Sequence, residues 1–400
     1  MSSQPPVGVY LAVPFCKAKC SFCNFASDAF APQRMDAYVE RLCAEIRRAR
    51  REASKMNAVL GERADSVYFG GGTPSLLQAG HFAQIFQTLR DVFDVARDAE
   101  ITIECAPGQL PEETLEALLG HGVNRVSLGV QSFVDREAAA VGRLHTGLQC
   151  EQEIARLIAA GVDRVCLDLI AGLPHQTEVS WRESISRAVA SAAGHVSVYM
   201  LEVDEDSRLG REVLAGGVRY GARDVPDEDA AAGYYELGCE MLESAGIQQY
   251  EISNFARSGQ ESRHNVKYWQ RRPYIGFGLD AHSMLATDHG AVRFQNTDDL
   301  ERYMAEEKPL QLLQSASVAE PDFIGEEAAF EESLFLGLRM NEGVELQTLN
   351  ADLLQKVMPA LREACEAGLV IFGRDRVQLT ARGRMASNEV FSRLLIPTMA

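Results

Sequence analysis

The sequence has no apolar run long enough to cross a bilayer. Its opening, Met1-Ser2-Ser3-Gln4-Pro5-Pro6, lacks the basic start and apolar core of a secretion signal. Both absences point to a cytoplasmic protein. Positive charge is scarce as well, since 39 Lys and Arg face 57 Asp and Glu, for a formal net charge of −18. A chain of that sign is poorly made to neutralise phosphates, which argues against a non-specific nucleic-acid binder. It gains nothing from an anionic membrane surface either, so any membrane contact would run through a partner. Low-complexity segments and sequence repeats are missing. The nine cysteines make an odd count in a long chain without a secretion signal, which speaks against a disulfide framework. Six of them (Cys43, Cys105, Cys150, Cys166, Cys239 and Cys365) are scattered singly and read as small buried hydrophobes.

The other three are not scattered. Cys16-Lys17-Ala18-Lys19-Cys20-Ser21-Phe22-Cys23 places three cysteines within eight residues, a density that core packing does not call for. A zinc site would want paired spacings and a fourth Cys or His within reach, and neither His81 nor His121 forms such a motif. A redox dithiol would use Cys20 and Cys23 and leave Cys16 unexplained. A three-thiolate iron–sulfur site uses all three and is the strongest of these readings. With Phe25 two positions beyond Cys23 and no fourth cysteine nearby, one iron of a four-iron cube stays open for a small molecule.

Four hundred residues exceed one ordinary core, so a large domain with a smaller companion is expected. The first two-thirds alternate short apolar runs with amphipathic stretches. Strands are predicted at Val7–Val13, Ser66–Phe69, Glu100–Cys105, Arg125–Val130, Arg164–Ile170 and Val196–Val203. Between them the helical pattern covers Asp36–Lys55, His81–Phe93, Pro111–Leu119, Cys150–Ala160 and about Val179 to Ala192. Six β-then-α units predict an α/β fold, a parallel barrel or doubly wound sheet. Further on, Pro226–Glu243 reads as a helix and Gln248–Phe255 as one strand, and Tyr274–Leu285 mixes glycine with apolar residues. From Glu326 the pattern is helical (Phe330–Leu338, Leu349–Leu353, Lys356–Ala367), then a ribbon (Leu369–Phe372, Arg376–Leu379) and a closing helix Ala381–Leu395. That succession is winged-helix-like, and the acidic charge favours a packing domain over a DNA reader. The divisions expected are 1–255, a connecting segment 256–325 and a mainly helical domain 326–400.

Polar residues gather just after the predicted strands, where parallel barrels keep their active sites. Gly70-Gly71-Gly72-Thr73 follows the second strand and lacks the lysine of a phosphate loop. It suits either close backbone approach to a ligand or a plain turn into a helix. Glu104, Gln131, Arg143 and Asp168 share the same rim; singly each suits a salt bridge or cap, and together they suit a ligand with a carboxylate and an amine.

Cys16-x3-Cys20-x2-Cys23 resembles the signature of radical S-adenosylmethionine enzymes. The blocks Val13-Pro14-Phe15-Cys16, Tyr68-Phe69-Gly70-Gly71-Gly72-Thr73-Pro74-Ser75, Val126 to Phe133, Gly142-Arg143-Leu144-His145-Thr146 and Asp168 to Pro174 resemble the oxygen-independent coproporphyrinogen oxidase group. The likeness runs from about Val7 to the last helix. Phe25 in place of a further cysteine, the short stretch before the cysteines, and His264-Asn265-Val266-Lys267-Tyr268-Trp269 as an HNxxYW motif place it with the HemW-like haem chaperones of that group.

The resemblance implies a partial (β/α)6 barrel in which Cys16, Cys20 and Cys23 hold a 4Fe–4S cluster. S-adenosylmethionine would chelate the open iron, with Tyr10 and Phe22 beside it and Gly71, Gly72 and Thr73 near its methionine moiety. Glu104, Gln131, Arg143 and Asp168 would complete the site. It further implies haem as cargo and haem proteins as recipients, membrane-bound respiratory enzymes among them, with a homodimer as an option. Cys105-Ala106-Pro107 departs from the family's asparagine before the proline, and Asn24 replaces a common aspartate. Neither removes a cluster ligand, but both leave cofactor cleavage open, so the alternative activity is radical chemistry on a tetrapyrrole such as coproporphyrinogen III. His264 has two readings of equal weight: a haem ligand through a neutral imidazole, or a tie between a loop and the core.

Overall fold

The computed structural model describes residues 4–305 and 321–396; the stretch 306–320, counted above in the connecting segment, lies outside the described residues. Six parallel strands form the heart of the protein: β1 (Val7–Val13), β2 (Arg63–Gly71), β3 (Asp94–Cys105), β4 (Arg125–Gln131), β5 (Arg164–Ala171) and β6 (His195–Met200). They lie side by side in chain order, as six consecutive βα units require. Helices such as Met35–Lys55, Ala79–Val92, Gly147–Ala159 and Glu178–Ala190 separate them. The helix Met35–Lys55 buries Tyr38, Leu42, Cys43, Ile46 and Ala49, the three-and-four spacing of a stripe that faces the sheet.

The strands have two unlike faces. Outward residues such as Val9, Leu11, Val67, Phe69, Ile103, Val126, Leu128, Leu167 and Leu169 are fully or almost fully buried beneath the helices, each worth roughly 1.5–3 kcal/mol of hydrophobic burial. The alternate row carries Gly8, Tyr10, Ser66, Tyr68, Thr102, Glu104, Ser127, Asp168, Ser197 and Tyr199. Buried parallel strands are ordinarily apolar on both faces, so a polar inner row marks an interior made for something other than packing.

The sheet runs further than the sequence suggested. Tyr274–Phe277 pairs in parallel with β1, and His282–Thr287, Gly290–Gln295 and Asp322–Ile324 continue it antiparallel. The single strand expected over Gln248–Phe255 is two, Gln248–Glu251 and Asn254–Ala256, folded antiparallel on each other beside β6. The Glu251 carboxylate causes the break, accepting from Ser253 N at 3.0 Å and from Asn254 Nδ2, which closes a tight turn. The last barrel strand stops at Met200 rather than Val203. Asp204 then accepts from the backbone N–H groups of Asp206 and Ser207, which turns the chain into the helix Arg208–Leu214.

The C-terminal region has its own core of Phe330, Leu334, Leu338, Val357, Leu361, Val370, Val377 and Val390. The two helices expected at Leu349–Leu353 and Lys356–Ala367 are one, Ala351–Glu366, begun by an Asn350 cap that accepts from Asp352 N and Leu353 N and tolerating Pro359 inside it. The single closing helix breaks at Ala386 into Ala381–Met385 and Ser387–Arg393. A three-stranded ribbon completes the winged-helix-like arrangement. This region is fastened to the barrel. Ile252 N donates to Arg339 O at 3.2 Å and Asn341 N to Tyr250 O at 2.9 Å, while Glu332 accepts from Arg271 and Arg293 at 2.6 and 2.7 Å.

Candidate functional site

The cysteine loop leaves the C-terminal end of β1 and crosses the open end of the barrel. Its base is pinned by the backbone: Cys16 N donates to Asp28 O at 2.9 Å and Asp28 N to Pro14 O at 3.0 Å. Its far side is tied to the loop after the helix Asp135–Ala140, with Ser21 N donating to Val141 O at 3.1 Å. Phe22 lies with Val141, Ile170, Leu173 and Leu209 in a small apolar cluster, which anchors the loop on that side. Phe25 is 59% exposed and contributes no side chain to the cysteines.

All three thiols are free, with Cys20 buried and Cys16 and Cys23 half-buried. Each sulfur faces a polar group from a different part of the chain. Thr73 Oγ1 donates to Cys16 Sγ at 3.8 Å, Arg143 Nη1 to Cys20 Sγ at 3.3 Å, and the Ser27 hydroxyl lies 4.0 Å from Cys23 Sγ. Burial pushes the Cys16 and Cys23 thiols up, and the hydrogen bond from Ser27 works against it in both. Among the described residues no three His, Cys, Asp or Glu side chains converge on one point as a single ion needs.

The glycine run sits against this loop. Gly72 N donates to Val13 O at 2.8 Å and Thr73 N to Phe15 O at 2.7 Å. A Cβ on Gly72 would meet the Phe15 and Val13 carbonyl oxygens at 2.7 and 2.8 Å, so no larger residue fits without moving backbone. Gly71 has φ +101, a conformation that side chains disfavour, and it aims its N–H at Glu104 Oε2, 3.2 Å away. The other Glu104 oxygen accepts from Tyr68 Oη at 2.9 Å. Tyr10 stacks on Tyr68 with ring centroids 5.9 Å apart. Glu104 is pushed up to about 7, first by burial and then by the charge of Asp168, while Tyr68 and Gly71 pull it back. Burial also raises the Asp168 carboxyl, against which Ser197 and Ser127 donate; the Ser127 hydroxyl is 3.3 and 3.4 Å from its oxygens. Gln131 has φ +67 at a register shift between β4 and β5, and its Nε2 closes on Gly129.

The structure therefore brings Tyr10, Gly71, Gly72, Thr73, Glu104, Gln131, Arg143 and Asp168 to one end of the barrel with Cys16, Cys20, Cys23 and Phe22. His264 lies below this set, its ring 6.4 Å from that of Tyr10 and 5.2 Å from that of Tyr68. The helix Arg263–Trp269 lies against the opposite end, where the strands begin: its His264 N donates to Glu100 Oε1 at 2.9 Å. The His264 ring is 1% exposed. Its Nδ1 pairs with Ser66 Oγ at 2.9 Å and its Nε2 with Tyr268 Oη at 2.8 Å. Burial, then the nearby Lys267 charge, lowers its pKa to about 3. With both nitrogens engaged, the ring here acts as a tie between its helix and the strands, the second of the two readings given to His264 above.

Sequence reasoning missed Tyr68, Ser27 and Ser127 as partners of Glu104, Cys23 and Asp168. The signal for Tyr68 and Ser127 was present as a polar residue at every second position of otherwise apolar strands. Ser27 carried no such signal.

Comparison with known proteins agrees with this geometry. Residues 10–188 match the Radical SAM superfamily and residues 325–386 the HemN C-terminal domain. The chain is 30% identical over 397 residues to "Heme chaperone HemW" of Lactococcus lactis, covering 98% of each chain. It is 34% identical over 401 residues to the protein of that name from Mycobacterium tuberculosis, covering 98% of this chain and 95% of the other. Among solved structures, coproporphyrinogen III oxidase (HemN) from Escherichia coli superposes with a TM-score of 0.79 at 22% identity, over 98% of this chain and 90% of that one, a likeness of fold. The chain belongs to the HemW family of the radical SAM superfamily.

Proposed function

We propose that this protein is a haem chaperone, which binds haem and passes it to haem proteins, with a 4Fe–4S cluster and S-adenosylmethionine held at the open end of the barrel. The observation that carries this reading is the full-length likeness to proteins named heme chaperone HemW, in a chain whose three cysteine sulfurs each meet a polar group, two of them from distant segments. Cys16, Cys20 and Cys23 are the thiolates for three irons. The Gly71–Gly72 backbone, already pressed against β1, leaves room for the methionine end of the cofactor. Glu104 and Asp168 are acceptors for its amine and ribose hydroxyls, and Tyr10 and Phe22 supply apolar walls. When bound and reduced, the cluster supplies the electron that cofactor cleavage requires.

Haem handling makes the recipients other haem proteins, membrane-bound respiratory enzymes among them. None of the described helices is long and apolar enough to cross a membrane, so a cytoplasmic protein that meets such recipients from outside the bilayer is the arrangement proposed. The HNxxYW helix is read as a closed floor for the barrel. A second reading, radical chemistry on a tetrapyrrole, is supported by the likeness of fold to coproporphyrinogen III oxidase.

Two anaerobic assays on cluster-reconstituted protein separate the readings. Titration with haem is expected to give a saturable Soret band at one haem per chain, and its absence rejects the chaperone. Incubation with coproporphyrinogen III, reductant and S-adenosylmethionine is expected to yield no decarboxylated product. Turnover would instead establish the second reading.

A further inference from the structure

Arg143 was expected to fork a carboxylate. In the fold each of its two terminal nitrogens already makes one hydrogen bond. Nη1 donates to Cys20 Sγ at 3.3 Å, and Nη2 donates to the carbonyl of Gly129 on β4. Nε is buried and has no partner at all. The side chain reaches this position because three neighbours are small or fixed. A Cβ on Gly129 would lie 3.1 Å from Nη2. Gly142 takes φ +83 with its Cβ position 3.8 Å from Cys20 Cα. His145, 6% exposed, holds the loop through Nε2 to Val130 O at 3.1 Å.

The three sulfurs are consequently not equivalent. Cys16 and Cys23 meet neutral hydroxyls, with Lys19 acting on Cys23 through its charge only, and Cys20 is the sulfur that takes a hydrogen bond from a cation. Hydrogen bonds and charge at the sulfurs are among the main settings of an iron–sulfur potential, and a guanidinium supplies both at once. A cation at Cys20 favours the state with one more negative charge, which is the reduced cluster.

We infer that Arg143 is a positioning residue for the cluster: it raises the potential of the one-electron couple through Cys20. Its free Nε–H links that potential to an anionic group bound beside it. A carboxylate placed on Nε offsets the cation and makes the cluster harder to reduce, and by reciprocity reduction weakens the hold on that carboxylate. This inference rests on the cluster assignment above.

The test is an EPR-monitored redox titration of anaerobically reconstituted protein, wild type against R143Q and R143K. R143Q is expected to lower the reduced-to-oxidised ratio at a fixed potential about tenfold, or 59 mV for one electron, with R143K falling between. Adding S-adenosylmethionine is expected to shift the midpoint less in R143Q than in wild type. An R143Q midpoint equal to wild type overturns the inference and leaves the cluster assignment standing, whereas failure of wild type to assemble a cluster overturns the assignment itself. Should R143Q not hold a cluster, wild-type protein with heavy-nitrogen arginine decides. A hyperfine coupling from a guanidinium nitrogen on the reduced cluster is expected, and its absence rejects the contact.

Discussion

The two ends of the barrel use similar residues in opposite ways. At the floor, Glu100 accepts from the backbone N–H groups of Arg263 and His264, and His264 spends both ring nitrogens on Ser66 and Tyr268. At the open end, Arg143 keeps an unpaired N–H, Glu104 and Asp168 are held above the usual carboxylate range, and three thiols are free. Polar groups that are satisfied rigidify a fold, and those left with spare capacity await a ligand. The floor helix also keeps a buried group without a partner, Trp269 Nε1, but the open end gathers free thiols, raised carboxylates and an unpaired N–H in one place.

The largest effect should come from the open end. Cys20→Ser is expected to abolish cluster assembly, measured as bound iron and visible absorbance, while the thermal midpoint of the cluster-free protein stays close to wild type. Parallel loss of the fold would mean that the loop is structural. Gly72→Ala comes next. The atoms nearest its Cβ all belong to backbone, so a cost of about 1–3 kcal/mol is expected from denaturant unfolding, together with weaker S-adenosylmethionine binding.

The floor should answer to pH. An unfolded histidine takes up a proton near pH 6.5, and His264 resists it until about 3. Between those values the unfolded state binds the extra proton, so this group's contribution falls on acidification by about 1.4 kcal/mol per pH unit. Denaturant melts at pH 7 and 5 should show a steeper loss in wild type than in His264→Gln, and equal slopes would mean the ring is not held neutral. At the small end, Phe25→Ala should change stability by less than about 0.5 kcal/mol and leave cluster content unchanged. A loss of cluster in that variant would give the exposed ring a role that the geometry does not.

Much of the open end was legible because its parts are local. The cysteines lie within one loop, and the glycine run and Glu104 stand at strand ends that hydrophobic patterning locates. What was hidden depends on distance along the chain. That Arg143 meets Cys20 and Gly129 rather than a free ligand follows from how the loop after Ala140 docks, which no local pattern encodes. The pairing of Tyr274–Phe277 with β1 joins residues more than 250 positions apart, so the widened sheet left no trace in periodicity. The turn at Ile252 and Ser253 depends on one carboxylate folding back on its neighbours, within a run whose composition reads as continuous strand. His264 could not be settled from its motif, because a buried ring and a ligand ring carry the same letters. Only its partners distinguish them.

The claim that the open end works and the floor is closed is tested most directly by haem titration of His264→Ala beside wild type, both with reconstituted clusters. The same stoichiometry and the same Soret position are predicted for the two proteins. Loss of haem binding in a variant that keeps its fold and its cluster would place the haem at the floor and contradict the account.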